Sequence, residues 1–377
     1  MAIYAGVMSG TSLDGIDVAL VDFEGDAERP AASDVISFHT ETYADNLRDR
    51  LREAAEEPRS GTRDLCVLNF ELGRVMADAV ATACSDAGVP AADLAAIGSH
   101  GHTVWHQPPG DEPGATLQIG EGAVLAEQLG VPVVADFRVR DVAAGGHGAP
   151  LTAYFDWLML TGPDAARGIQ NIGGMANITA LPSAGSAESP IAFDTGPGVA
   201  LIDAAALALT GGEQEFDEDG RMAAAGQVVP DALAEWLRDP FFAVPPPRTT
   251  GRERFGSAPL REWLGRHAIL DATDLMATIT ELTARSIADA TRWVPFPIDE
   301  VYLCGGGARN PVLRERLVAL LEPRPVRALE ELGWNGDARE AAAFALLARQ
   351  HLLGIPASAP WATGASGPRV LGKLIPA

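Results

Sequence analysis

Two stretches of the chain share one pattern, a β-prone run, a glycine-rich turn and a second β-prone run. That repetition constrains the fold more than any other feature. In the first stretch, residues 2–7 are small and apolar with a β-branched bias, and residues 16–23 alternate apolar side chains with Asp17, Ala19 and Asp22. Between them stands Met8-Ser9-Gly10-Thr11-Ser12-Leu13-Asp14-Gly15-Ile16-Asp17. In the second, residues 168–172 and 175–181 flank Gly173-Gly174 and carry Asn171 and Asn177. Each reads as a β-hairpin, so the expectation is two sheet-based domains in succession.

Glycine lets the main chain approach a ligand and visit positive φ, and a turn of this kind presents backbone N–H groups beside short hydroxyls. Gly10, Thr11, Ser12 and Gly15 therefore suit the phosphate tail of a nucleotide, and Asp14 and Asp17 suit a Mg²⁺ that neutralises it. A tight Asx-type turn without a ligand is the other reading. The charge balance sharpens the question. Lys and Arg number 28 against 51 Asp and Glu, a net −23, which argues against nucleic acid or anionic lipid as the main partner. A phosphorylated ligand must then be met by backbone dipoles, Mg²⁺ and a few placed arginines.

A chain of 377 residues, 47% hydrophobic and 21% charged, fits two globular domains with large cores. It has no apolar run of about 18 residues and no basic leader followed by an apolar core, so the expected location is cytoplasmic. Cys66, Cys84 and Cys304 form no close pair, which indicates neither a disulfide framework nor a cysteine zinc site. Cys66 and Cys84 read as helix packing residues and Cys304 as strand core.

Along the chain, residues 34–43 read as a third strand, 44–57 as a charged helix broken by Pro58-Arg59-Ser60-Gly61, and 62–87 as a long helix. The buried face of the long helix is expected at Leu65, Leu68, Leu72, Val75, Met76, Ala79 and Ala83. A short strand at 93–99 runs into Ser99-His100-Gly101-His102-Thr103-Val104-Trp105-His106, read as a loop. Three histidines invite a metal, but no carboxylate or cysteine matches them. A sugar-facing loop and satisfied structural histidines both remain open. Arg138, just past a strand at 131–135, can orient a carboxylate or a polar sugar through its planar fork. The glycines at 143–148 read as a flexible cluster at a domain boundary.

In the second half, a strand at 191–193 stops at Asp194-Thr195-Gly196-Pro197-Gly198, where either a catalytic carboxylate, a Mg²⁺ ligand or a plain capping residue fits. Arg248 and Arg252 sit in a polar loop and either meet phosphate or pair on the acidic surface. Strand 301–304, then Gly305-Gly306-Gly307, then a helix start near Val312 suits adenosine packing against backbone. Glu340 lies in the first turn of a helix at 338–353, where it can simply complement the helix dipole. The Pro/Gly-rich tail, 356–377, is expected to wrap the surface.

Met8 to Asp17, Ser99-His100-Gly101, Leu117-Gln118-Ile119-Gly120, Ala135-Asp136-Phe137-Arg138, Gly148-Ala149-Pro150-Leu151, Asn171-Ile172-Gly173-Gly174, Asp194 to Gly198 and Thr250-Gly251-Arg252-Glu253 together resemble the anhydro-N-acetylmuramic acid kinase family, in the family's order. The resemblance runs from residue 3 to about residue 350 and sits within the wider actin, hexokinase and Hsp70 type of ATPase. It implies an α/β protein with two ribonuclease-H-like domains flanking an ATP cleft. We place them at 1–140 and 141–353, with 354–377 packing back on the first.

The resemblance further implies ATP-dependent opening of 1,6-anhydro-N-acetylmuramic acid by water, with phosphorylation at O6. The products are N-acetylmuramic acid 6-phosphate and ADP, in peptidoglycan recycling and amino-sugar catabolism. On that basis Asp194 is the general base, Glu340 holds the water or sugar, and Arg138, His102 and Gln118 contact the sugar. Residues 10–17 with Gly173 and Gly174 clasp ATP and Mg²⁺, Gly305 to Gly307 meet the adenosine, and the chain forms a homodimer. It departs from the family pattern at His102, Glu121-Gly122, His147 and Val199. The rival readings are a levoglucosan kinase and a non-catalytic actin-type nucleotide switch.

Overall fold

The computed structural model describes residues 2–10, 13–26, 30–31, 35–56, 61–110, 112–266 and 271–377. The chain forms two compact units, Met1–Met159 with Ala338–Ala377, and Leu160–Asp337. Of the helix break expected at 58–61, residues 58–60 lie outside the described residues.

In the first unit the strands are β1 (Ile3–Ser9), β2 (Ile16–Asp22), β3 (Val35–Glu41), β4 (Leu94–Gln107), β5 (Ala115–Ile119) and β6 (Val133–Ala135). The seven-stranded sheet runs β3-β2-β1-β4-β6 and then Lys373–Ile375 at the edge, with β5 paired to β4 off this path. β2 runs antiparallel to both β1 and β3, while β4 is parallel to β1 and β6. Because successive side chains point to opposite faces, β1 serves two layers. Ala5 and Val7 join the core beneath helix Thr62–Ala87, whose Leu68, Leu72, Met76, Ala79 and Ala83 are buried. Gly6 and Gly98 face the other way, and a Cβ on either would overlap a carbonyl of helix Arg339–Leu352, at Ala341 or Phe344. The absent side chains let that alanine-rich helix lie directly on the sheet.

The second unit repeats the design with β7 (Arg167–Ile172), β8 (Met175–Leu181), β9 (Ile191–Pro197), β10 (Glu300–Cys304) and β11 (Val326–Ala328). Its order is β9-β8-β7-β10-β11, with β8 antiparallel to β7 and β9, and β10 parallel to β7 and β11. Strand order and direction match the first unit position for position. This is the ribonuclease-H-like sheet, present twice in an α/β chain. Helices Ala272–Ala290 and Pro311–Leu321 cover it through Ile287, Leu313 and Leu317. Helical additions gather around Phe241, Phe242, Phe255 and Trp263.

Several expectations change. β4 continues through the histidines to Gln107, because Gly101 at φ 76° turns the strand and Thr103, Trp105 and His106 then pair with Gln118, Leu117 and Thr116 of β5. β9 likewise runs through Asp194 to Pro197, so that carboxylate stands inside a strand. Cys66 is exposed, whereas Cys84 and Cys304 are buried. The glycines at 143–148 are braced within the first unit: Gly146 N–H donates to Asp141 O (3.0 Å), Gly148 N–H to Asp141 Oδ2 (2.8 Å) and His147 N–H to Thr363 O (2.7 Å). The first unit thus extends past residue 140 to 159 and also takes helix Arg339–Leu352. Within the tail, Lys373–Ile375 forms a strand antiparallel to β6. No helix among the described residues is long and apolar enough to cross a membrane.

Candidate active site

The β1–β2 turn is built on packing as much as on ligand access. Leu13, at φ 63°, donates its N–H to Gly10 O (3.2 Å) and buries its side chain. A Cβ on Gly15 would come within 2.5 Å of Glu41 O, so that glycine also serves the β2–β3 approach. Asp14 is exposed, and Asp17 Oδ1 accepts from Thr40 Oγ1 (2.7 Å). Thr11 and Ser12 lie outside the described residues.

Just before the turn, Ser9 Oγ lies 2.5 Å from Tyr43 Oη and 2.7 Å from His102 Nδ1. His102 is fully buried, which lowers its pKa to about 4, and its Nε2 is buried without a hydrogen-bond partner. Burial likewise pushes the Tyr43 phenol up to about 12, the Ser9 bond opposing and the Asp17 charge adding. A neutral hydroxyl–imidazole chain therefore underlies the first turn. Sequence inspection found His102 but not Ser9 or Tyr43, whose contact spans 34 residues of chain.

A second cluster of the first unit forms around Arg138. Its Nε donates to His100 Nε2 (3.0 Å) and its Nη1 to Gly148 O (2.7 Å). Burial and the Arg138 charge hold the His100 pKa well below 6.5, which keeps that ring a neutral acceptor. Its other nitrogen, Nδ1, lies 2.8 Å from Gly101 O. Arg138 itself is lowered to about 10 by burial, with Glu340 and Asp141 opposing, so the structure brings Arg138 and Glu340 into electrostatic reach of each other. His106, also lowered to about 4 by burial and by Arg138 and His147, bonds Thr116 through Nδ1 (3.1 Å). Gln118 Nε2 donates to Thr116 Oγ1 (2.8 Å) and Thr103 Oγ1 (3.1 Å) on the same ribbon.

The helix that carries Glu340 is pinned at its first residue. Arg339 and Asp156 are a buried, two-pronged ion pair, with Arg339 Nε 2.7 Å from Asp156 Oδ1 and Nη2 on Oδ2. Neither was singled out from sequence, since 183 residues separate them.

In the second unit, Asp194 Oδ2 accepts from Thr250 N–H (2.8 Å), and its main chain is bracketed by Arg248: Asp194 N–H donates to Arg248 O and Arg248 Nε to Asp194 O (2.9 Å). Some of the residue remains solvent-accessible, yet protein crowds the carboxyl. Burial raises its pKa to about 7 against the Thr250 N–H and Arg248, with Glu253 adding to the rise. Arg248 meets main-chain carbonyls and the rings of Phe193 and Phe241 rather than a surface carboxylate. Arg252 is exposed, its Nη2 3.5 Å from where a Gly174 Cβ would stand.

The glycines of this unit divide by task. Gly173 O and Gly174 O accept from the N–H groups of Gly198, Val199 and Ala200 at the start of helix Ala200–Leu209. Gly305, at φ 81°, and Gly307 lie against Asn171 and Ile172, where a Cβ would collide. Of the three glycines 305–307, Gly306 alone faces open space. Beside them is a pocket of about 340 Å³ lined by Cys304, Gly305, Arg309, Arg327, Glu330 and Gly336. Its charged walls were missed from sequence because they come from three separate segments, around residues 309–314, 327–330 and 337.

Five strands in one order, carried twice, with a glycine turn on the first hairpin of each sheet and a strand–glycine–helix pocket on the second, define the actin, hexokinase and Hsp70 class of nucleotide-using proteins. A family model described as anhydro-N-acetylmuramic acid kinase matches residues 2–377. The chain belongs to that family and is an enzyme, a kinase. It is 45% identical over 374 residues to the anhydro-N-acetylmuramic acid kinase of Gloeobacter violaceus, covering 99% of this chain and 98% of the other. It is 42% identical over 376 residues to that of Xanthomonas axonopodis pv. citri, covering 100% and 98%. Among solved structures, a ROK family glucokinase from Streptomyces griseus in complex with glucose and AMPPNP aligns over 93% of this chain and 100% of its own at 15% identity, with a TM-score of 0.39.

Proposed function

We infer that the protein phosphorylates 1,6-anhydro-N-acetylmuramic acid with ATP while water opens the anhydro bridge. The observation that carries this is Asp194, a carboxylate held by Thr250 N–H with its pKa raised to about 7. A base poised near the working pH is what activation of a water requires. Asp194 takes a proton from water as the water oxygen bonds the anomeric carbon. The bond from that carbon to O6 breaks, O6 bonds the γ-phosphorus, and ADP leaves. The products are N-acetylmuramic acid 6-phosphate and ADP, as in peptidoglycan recycling and amino-sugar catabolism. Arg138, steadied by His100 and Gly148 O, orients the sugar with Glu340, and Gln118 and the His102 network support that side.

Gly10 to Gly15, with Thr11 and Ser12, and Gly173 and Gly174 meet the phosphates, and Gly305 to Gly307 border the adenosine pocket, with Gly306 the open member. No group of three or more His, Cys, Asp or Glu side chains that could hold a metal occurs among the described residues. A Mg²⁺ that arrives on ATP needs only one or two carboxylates. Asp14 and Asp17, on either side of the first turn's exit, fit that need. Bound there, Mg²⁺ neutralises phosphate charge. The enzyme works as a cytoplasmic homodimer of two-domain chains.

The test is a coupled ADP-release assay with 1,6-anhydro-N-acetylmuramic acid and, separately, levoglucosan. Turnover of the amino sugar is expected, with kcat lower by about 10²–10⁴ in Asp194→Asn. Turnover of levoglucosan alone would reassign the sugar, and ATP binding without turnover of either would leave a nucleotide switch.

A further inference from the structure

Arg248, which hydrogen-bonds Asp194, also lines a second pocket that the proposed reaction does not use. The pocket encloses about 280 Å³ and is walled in part by Arg238, Arg248, Arg292, Asp239 and Asp289. Arg248 is only 5% exposed, yet among the described residues it forms no ion pair. Its partners are the neutral carbonyls of Asp194, Phe241 and Val244. Arg292, though exposed, likewise forms no ion pair among the described residues; it donates from Nη2 to Phe242 O (2.7 Å) with its guanidinium 5.2 Å above the Trp293 ring. The two charges repel, which helps lower the Arg248 pKa to about 10 after burial itself.

The carboxylates do not cancel this. Asp239 accepts from Phe241 N–H and pairs with Arg254 at 3.5 Å, and Asp289, on helix Ala272–Ala290, forms no ion pair among the described residues. With Asp239 paired to Arg254, which lies outside the lining, the three lining guanidiniums face one carboxylate without an ion-pair partner, which leaves two positive charges at one concavity of a chain whose net charge is −23. Guanidinium forks match the oxygens of phosphate and carboxylate. A doubly positive site of this size suits a dianion on a small molecule.

We propose that this pocket binds the phosphate group of a small metabolite and that its occupancy is felt at Asp194. The route is short: a phosphate drawing on the Arg248 guanidinium loosens its bond to Asp194 O and offsets the positive charge that favours the Asp194 carboxylate. Occupancy therefore slows turnover. That coupling rests on the proposed role of Asp194, whereas the binding does not.

Inorganic phosphate is titrated calorimetrically into the full-length protein after saturation with a nonhydrolysable ATP analogue, which fills the nucleotide site. One phosphate per chain is expected, with affinity about tenfold or more weaker in Arg292→Gln and in Arg238→Gln, each variant losing a charged contact. Both side chains are exposed, so the fold is kept. No binding, or equal binding by wild type and both variants, overturns the site. Acetate binding as tightly as phosphate overturns the dianion preference. In the ADP-release assay, phosphate lowers kcat for wild type and not for Arg292→Gln; equal inhibition of both overturns the coupling. If neither sugar is turned over, the proposed reaction fails, and calorimetry still decides the site.

Discussion

Replacing Asp156 with asparagine tests how the start of the Glu340 helix is held. Asp156 and Arg339 have side chains 0% and 1% exposed, and they meet through two parallel hydrogen bonds. Removing one charge of such a pair leaves the other buried and uncompensated, a loss of roughly 3–5 kcal/mol. At a urea dependence of about 2–3 kcal/mol/M, that moves the unfolding midpoint down by roughly 1–2.5 M. The paired replacement Asp156→Leu with Arg339→Met removes both charges and should return the midpoint to within about 0.5 M of wild type, because a buried ion pair is rarely better than well-packed apolar groups. Urea unfolding followed by circular dichroism on the three proteins decides the matter. A midpoint shift below about 0.3 M for Asp156→Asn would refute the reasoning, since it would mean that solvent reaches Arg339 or that another group takes the charge.

Other outcomes follow from single sites. Because Asp194 must lose its proton to act, kcat/KM should rise about tenfold per pH unit below about pH 7 and level off above it; a flat profile between about pH 5.5 and 8 would remove Asp194 as the base. The folded state holds that proton between about pH 4 and 7 where the unfolded chain does not, so this carboxyl lowers stability as pH rises through the window. Asp194→Asn should therefore unfold later than wild type at pH 8, read by thermal melting. The sign reverses at His102 and His106, whose lowered pKa values near 4 give stability that is complete above about 6.5 and lost as pH falls toward 4. Among the three glycines after β10, Gly306→Ala should change stability by less than about 0.5 kcal/mol yet weaken ATP binding. Gly305→Ala, at φ 81° against Asn171, should cost about 1–3 kcal/mol.

The strand runs were legible because apolar alternation and glycine turns are local signals, and helix Thr62–Ala87 has the bounds its apolar spacing indicates, with Leu68, Leu72, Met76, Ala79 and Ala83 buried as expected but Leu65 and Val75 only half-buried. Two kinds of feature were not. Where a strand continued past a polar segment, as at His100 to Gln107 and at Asp194, hydrogen bonding to a neighbouring strand overrode the look of a loop. Where a site depends on residues far apart in the chain, as with Ser9 and Tyr43, Asp156 and Arg339, or Thr250 and Asp194, no local pattern marks the pair. Asp194 and Arg138 were singled out because charged groups beside sheet strands stand out, whereas Glu340 was given a role only by the family resemblance. The hydrogen bonds that hold Asp194 and Arg138 in place had to be read from the fold.

Helix Arg339–Leu352 belongs to the first unit but is made after the whole of the second. On the ribosome, the glycine face of β1 and β4 has no cover until nearly the entire chain has been synthesised, whereas Leu160–Asp337 is complete earlier. The second unit can thus finish folding while the first waits. A stop codon after Asp337 leaves a protein with one finished half and one exposed sheet, a substrate for chaperones and proteases rather than a smaller enzyme.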